Sequence, residues 1–382
     1  MRCLFGLLLL LAACSSEEVC APGIQETCAC PRGVPGAQAC NAEGSAFDEC
    51  ICDGPSGGSG AGNAGGGAAE AQPGQPPPPA QGAPDGDGSA PRSFAVTHLY
   101  VGQYSFDATT RSPDAWKGFG YDIDHEYTIS SFSGHCTPAG GASAPNVFPD
   151  GTDGNDNAFG KILLPILKTA AAASVSDFEA GLNEPIEGGE HTLVFDLLGL
   201  GAEASYASVS SSFFAARDRT NSTWLKAPES FSGSQPTLQF PNAYLVDDVW
   251  VSGRADGVLT VQLAFGGGNL HLPIHHPLVT AELSADHGTV SRGIISGVLE
   301  TEEFVETLRD NLSAVQSSFC EGAAVEGILN QIRQASDIRA DGTQGAGTCD
   351  GISIGLGFSG ASVSIGGFAT PLPPVGDPCS FD

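Results

Sequence analysis

The sequence predicts a mainly β protein, sandwich or jelly-roll-like, with a helical hairpin inserted near residues 301–338 and a small disulfide-rich module at its N-terminus. Three observations carry this. From about residue 93 onward, aromatic and β-branched residues recur in runs that alternate with polar ones. One pair of helix-period stripes interrupts them. Cysteines fall into a dense group near the N-terminus and a sparse group in the remainder.

Each element follows from its own pattern. In Val258 to Phe265, Leu259, Val261, Leu263 and Phe265 share one face, with Thr260 and Gln262 on the other; Leu270, Leu272 and Ile274 continue the period. Ile352, Ile354, Leu356 and Phe358 alternate with Ser353, Gly355, Gly357 and Ser359, and a turn near Ser359-Gly360 into Val363 and Ile365 predicts a hairpin. Residues 93–106, 192–198, 237–246 and 249–254 are further strand candidates. Thr301 fits a helix N-cap, with Glu302 and Glu303 where the helix dipole favours anions. Phe304, Leu308, Leu312, Val315 and Phe319 make the first stripe. Val325, Ile328, Leu329 and Ile332 make the second. A weaker helix is expected over 159–173, limited by Pro165.

The chain begins with Met1-Arg2-Cys3 and runs apolar through Ala13. Residues 1–13 read as a secretory signal, too short to span a bilayer as a helix. Leu11-Ala12-Ala13-Cys14 resembles the lipobox of bacterial lipoproteins. That resemblance implies cleavage before Cys14 and acylation of its sulfur, with palmitate-type chains as the membrane anchor. Ser15, rather than Asp, follows the cysteine; by resemblance to the enterobacterial sorting rule this implies the outer membrane.

Residues 14–52 form the lipidated tether and a six-cysteine module of Cys20, Cys28, Cys30, Cys40, Cys50 and Cys52. The module has almost no apolar core, so bridges must hold it. Its Cys-x-Cys spacing fits disulfides better than the Cys-x-x-Cys of zinc ribbons. Gly36-x-Gln38-x-Cys40-x3-Gly44-x2-Phe47-x2-Cys50-x-Cys52 resembles a module of uncharacterised lipoproteins from predatory Gram-negative bacteria, a group that supplies no activity. Cys136, Cys320, Cys349 and Cys379 complete an even exported set and are also expected to be bridged, with the pairing open. Residues 53–92, rich in Gly, Ala and Pro, read as a disordered linker spanning on the order of 35 Å. Residues 93–382 then form the β-rich head, as one domain or two.

The formal net charge is −29, which excludes nucleic acid and anionic lipid surfaces as partners and suits divalent cations or plain solubility. Asp150-Gly151-Thr152-Asp153-Gly154-Asn155-Asp156-Asn157 offers carboxylates and amides among turn-forming glycines, as calcium loops do. Asp122 and Asp124 share one side of an extended segment. The expected calcium ligands are therefore Asp122, Asp124, Asp150, Asp153, Asn155 and Asp156. The rival is a solvated turn. An EF-hand is excluded, since Ala158 and Leu164 stand where its glycine and glutamate belong.

Three catalytic patterns fail on context. Gly351-Ile352-Ser353-Ile354-Gly355 copies a nucleophile elbow, but Ser353 lies within a strand and no histidine follows His287. A second copy, Gly54-Pro55-Ser56-Gly57-Gly58, lies in the linker. Gly355-x-Gly357-x-x-Gly360 copies a dinucleotide fingerprint without a following helix. His271, His275, His276 and His287 offer a weak transition-metal signal, and His135-Cys136 a weak thiol one. No catalytic residue is assigned. The leading expectation is a membrane-anchored, surface or periplasmic binding or structural lipoprotein, calcium-stabilised, with a protein or glycan partner. A tethered glycosidase-like hydrolase using Asp122/Asp124 with Asp153/Asp156, and an apolar-ligand carrier enclosed by 257–299 and the helical hairpin, stand as alternatives.

Overall fold

The computed structural model describes residues 25–29, 35–39, 46, 72–86, 90–128, 135–138, 150–170, 177–265, 268–315 and 323–372. The chain divides into two compact units, Met1–Gly66 and Gly67–Asp382. In the first, β1 (Gln25–Ala29) and β2 (Pro35–Ala39) pair antiparallel, Cys28 opposite Gly36. The pairing of the six cysteines of this unit lies outside the described residues, as do Cys14, Cys320 and Cys379.

The second unit is mainly β with few helices, as expected. Its elements are β3 (Arg92–Tyr100), α1 (Leu164–Ala170), α2 (Phe178–Gly188), β4 (His191–Leu197), β5 (Ser211–Thr220) and β6 (Thr223–Lys226). There follow β7 (Leu238–Phe240), β8 (Tyr244–Val246), β9 (Val249–Val251), β10 (Val258–Phe265), β11 (Gly268–Leu283) and β12 (Thr289–Glu300). The last are α3 (Thr301–Val315), α4 (Ala323–Arg333), β13 (Gly351–Ser362) and β14 (Ser364–Phe368).

The strands join in the order β8-β9-β11-β12-β13-β3-β4-β5-β6-β14, with β7 on β5 and β10 on β11. The β8 end of this path then returns to β5 and the segment before it. Phe240 of β7 pairs with Ser211 of β5. Upstream of β5, Val209 N–H donates to Ala243 O at 2.8 Å, and Tyr206 and Leu245 exchange both backbone bonds at 2.9 and 3.0 Å. The sheet therefore closes into a ring, whose opposed walls pack face to face across one core. Closure removes two otherwise bare edges.

The core follows from the alternation read in the sequence. Phe94, Phe195, Phe213, Phe240, Trp250 and Phe358 are all 2% exposed or less, and they meet inside the ring. Phe195 is their hub, with ring centroids 5.4 Å from Phe94, 5.2 Å from Phe213, 5.9 Å from Trp250 and 5.9 Å from Phe358. Each such burial contributes roughly 1.5–3 kcal/mol. The Trp250 indole N–H donates to Val209 O, so its polar atom is satisfied where the ring closes.

Helices cover the rest of this core. α2 packs on β3 and β10, and α3 on β11. α4 packs on α3 and α1, through Val325, Leu329 and Ile332. α2 starts at Asp177, whose carboxylate caps Ala180 N–H, and ends at Gly189, whose φ of 85° a side chain would resist. The helix expected over 159–173 begins with a wide turn, Phe159–Leu163, in which Leu164 N–H reaches Phe159 O. Pro165 enters just after it and has no N–H to give. Thr301 N–H bonds Asp350 O and its hydroxyl meets Ser336 Oγ at 2.8 Å, so its side chain ties the two ends of the hairpin together.

Three expectations meet a different structure. β13 runs on through Ser362, and β14 pairs parallel with β6 rather than folding back as a hairpin. The Ser359–Gly360 step, read as a turn, is a bulge against β3. The run 237–246 is two short strands, because Pro241 and Asn242 turn it between partners on both walls. Within the expected linker 53–92, residues 72–86 lie along the head. Tyr244 Oη donates to Pro77 O at 2.7 Å, and Asp122 N–H donates to Gly74 O at 2.8 Å. A proline stretch loses little entropy on docking and offers carbonyls without needing acceptors for its own nitrogens. Among the described residues no helix is long and apolar enough to cross a membrane.

Candidate metal centre

The outer face of β13 positions the centre. Its inward residues Ile352, Ile354, Leu356 and Phe358 join the core. The alternate residues, Ser353, Gly355 and Gly357, are buried as well. A Cβ at Gly355 would stand 2.4 Å from Phe119 O, so the backbone of Phe119 and Gly120 lies directly on the strand. Asn157 pins this approach from the side. Its amide donates to Trp116 O and Gly355 O at 3.0 Å each and accepts from Gly355 N–H at 3.0 Å.

From that anchor the segment 121–126 turns over Asp156. Asp156 N–H donates to Tyr121 O at 3.1 Å. Its Oδ2 accepts from Ile123 N–H at 2.6 Å and from Asp124 N–H at 3.3 Å. Asp124 Oδ1 in turn accepts Glu126 N–H at 2.9 Å. Asp122, Asp124 and Asp156 each bring a carboxylate oxygen to within 4.8 Å of the others. Asp156 is 4% exposed, and Asp122 Oδ1 is buried without a hydrogen-bond partner among the described residues.

Two further carboxylates border the trio. Asp150 holds Thr128 through paired backbone and side-chain bonds, Oδ2 accepting from Thr128 N–H and Asp150 N–H donating to Thr128 O. Asp337 follows α4 and accepts from Ser353 N–H at 2.8 Å and Ser353 Oγ at 2.5 Å. Ser353 Oγ also accepts Ala158 N–H at 2.8 Å. The serine of the elbow-like pattern is thus a buried strut between Asp337 and the 150–158 loop.

Burial dominates the electrostatics, against smaller opposing pulls of His125 on Asp122 and His135 on Asp124. Burial raises the carboxyls of Asp122 and Asp124 above their ordinary range. Burial, then the charges of Asp124, Asp337 and Asp122, carries Asp150 up to about 8. Burial and three neighbouring carboxylates raise Asp156 well above its usual value. Burial brings Asp337 to about 7 against the pull of its Ser353 bonds. Among the described residues none of the five forms an ion pair with lysine or arginine. Buried carboxylates in this state want a proton or a cation.

The expected ligands divide accordingly. Asp122, Asp124 and Asp156 meet, with Asp150 beside them. Asp153 is exposed, with a positive φ of 58°. Asn155 turns its amide toward Lys117 O at 3.4 Å. The backbone of these two shapes the loop, since Asn155 N–H bonds Thr152 O and Asn155 O accepts Gly151 N–H. Asp337 was not anticipated. Its only sequence signal is a lone acid after the α4 stripe, a place where solvated acids are common. The histidines are dispersed. His275 Nε2 lies 2.5 Å from Glu303, with Glu300 nearby, and His287 is buried against Asp248 at 3.1 Å. Cys136 is bridged to Cys349, which ties the 135–138 segment beside Asp337.

No protein-family model matches the chain, and no curated protein or solved structure matches it either.

Proposed function

We propose that this chain is a lipid-anchored envelope protein whose head has a binding or structural task and is stiffened by a hard divalent cation, calcium first among them. The observation that supports the cation is the trio Asp122, Asp124 and Asp156, gathered with Asp156 buried and the other two half-buried, and forming no ion pair with lysine or arginine among the described residues. The donors are all oxygens, which suits calcium and argues against zinc or copper. The residues that would hold it are these three, with Asp150 as the adjoining acid. Bound there, a cation would offset the mutual repulsion of the carboxylates and fix 121–126 on the 150–157 loop.

The anchor rests on the Leu11-Ala12-Ala13-Cys14 resemblance, and the outer membrane on Ser15. The partner is of protein or glycan type, outside the chain's own negative field. The anchor is tested by labelling cells with an alkyne-tagged fatty acid. The full chain takes the label and Cys14→Ser does not.

The cation is tested by thermal unfolding of the full chain in excess calcium and in chelator. Calcium is expected to raise the midpoint by several degrees in the parent and in the exposed-site control Asp153→Ala. It raises it far less in Asp122→Asn and Asp156→Asn, which keep the volume and lose a charge. An equal calcium response in all four proteins sinks the reading.

A further inference from the structure

A cavity of about 270 Å³ lies on the ring's inner side, where β10 faces β4 and β5. It is separate from the acidic centre, and nothing below depends on a cation. Its floor continues the core. Phe195–Phe213, Leu193–Ala215 and His191–Arg217 are successive directly opposed pairs of β4 and β5, so all six side chains share one face. Moving outward along that face, aromatic rings give way to a small alanine and then to two polar groups. Val261 and Ile295 complete the apolar wall.

The two polar groups are incompletely used. Arg217 is 7% exposed. Its Nη1 and Nη2 hold Glu229, and Nη2 also donates to Thr370 O at 3.0 Å. Its Nε–H is buried with no partner among the described residues. His191 is in the same position. Burial lowers its basicity, which favours the neutral ring. Nε2 is buried and unpartnered among the described residues. A neutral imidazole has one acceptor nitrogen, and Nε2 takes that role in the tautomer that carries its proton on Nδ1.

One donor and one acceptor therefore face a space of mixed lining, in which Leu193, Ala215, Val261 and Ile295 form the apolar part and Thr260, Gln262 and Asn269 are polar. A hydroxyl satisfies both at once, accepting from Arg217 Nε and donating to His191 Nε2. The charge balance excludes an anionic head: the one arginine is already paired with Glu229, and Glu190 and Asp218 also line the cavity. The size sets the body. A cavity of roughly 150 Å³ holds benzene, so this one takes a fused bicycle. We infer that the head binds a small neutral alcohol or phenol, its hydroxyl between Arg217 and His191 and its apolar body on Leu193, Ala215 and Val261.

The test uses fluorine NMR titration of the full chain with three probes of one shape. These are 6-fluoro-2-naphthol, 2-fluoronaphthalene and 6-fluoro-2-naphthoate. The naphthol is expected to bind one site per chain, at least tenfold tighter than either of the others. Ala215→Leu, which fills the cavity and leaves the polar pair alone, is expected to abolish binding with the unfolding midpoint kept. His191→Leu is expected to bring the naphthol down to the affinity of fluoronaphthalene. Equal affinity for naphthol and fluoronaphthalene overturns the inference. So does tighter binding of the naphthoate, survival of binding in Ala215→Leu, or no saturable binding by any probe.

Discussion

Asp177 and Glu179 show how much one turn of helix can hold. Asp177 caps α2 at Ala180 N–H, accepts Tyr104 Oη at 2.5 Å and pairs with Arg111 at 2.9 Å. Asp177→Ala is expected to cost about 1–2 kcal/mol, read as a lower midpoint in urea unfolding with an unchanged slope. Glu179 is 1% exposed; its Oε2 accepts Val101 and Gln103 N–H, while Oε1 is buried without a hydrogen bond among the described residues, with His98 Nε2 4.0 Å away. Burial raises its carboxyl to about 7. The folded protein therefore keeps a proton that the unfolded chain has released, so the Glu179 contribution is best below the unfolded value and declines as pH rises toward 7. Glu179→Gln stays neutral and should remove that decline. The midpoint of the variant relative to the parent should rise between about pH 5 and about pH 8, by on the order of 3 kcal/mol at the upper end; a flat difference across that range counts against it. At this scale the sequence was legible where chemistry was local. Asp122, Asp124 and Asp156 stood out because carboxylates crowd short segments rich in glycine. Asp337 and Glu179 did not, because their burial is made by chain far away: Ser353 for one, Val101 and Gln103 for the other.

Among the elements, β13 was read with the right span of inward residues, and its outward face was left unread. Alternating Ile, Leu and Phe with Ser and Gly ordinarily marks a half-solvated strand. Here the small residues are the signal of a covered face, because Ser353, Gly355 and Gly357 leave room for the backbone at Phe119 and for Asp337. The same smallness produced both misleading patterns, the elbow and the dinucleotide fingerprint. Gly355→Ala puts a methyl carbon 2.4 Å from Phe119 O, where only backbone movement relieves it. It is expected to destabilise the head by roughly 1–3 kcal/mol, and, by shifting 119–124, to weaken calcium stabilisation. Ala158→Gly, buried in the same layer and bonded to Ser353 Oγ through its backbone alone, should lower stability and leave the calcium increment intact. Thermal unfolding of both with and without calcium separates a general loss from a local one. β5 was missed because its serines and its Arg-Asp-Arg end hide two core phenylalanines, Phe213 and Phe214, that face opposite sides of the sheet.

For the whole molecule, what matters most is contact between distant parts of the chain, and this is what no local pattern shows. The ring closes between segments near 206–213 and 238–245, and the parallel β14–β6 pair joins residues 364–368 to 223–226. The even exported set of cysteines implied bridges, yet not that Cys136 takes Cys349 across a separation of 213 residues. This bridge holds the isolated pair Thr137–Pro138 to Thr348–Cys349. It also sits against the acidic centre. Cys136 N–H donates to Gln344 Oε1 at 3.3 Å, and Gln344 Nε2 donates to Asp337 O at 2.8 Å. Removing it should therefore act twice. The unfolded chain gains freedom, a loss of about 2–5 kcal/mol in folding stability, equivalent to a midpoint lower by roughly 5–15 °C for a unit of this size. Asp337 also loses the segment that fixes it, so the proposed cation site should loosen. The double variant Cys136→Ser, Cys349→Ser, compared with the parent in calcium and in chelator, distinguishes the two effects. A fall of the same size in both conditions is entropy alone. A larger fall in calcium means that the bridge organises the centre as well as the fold, and this is the expected result.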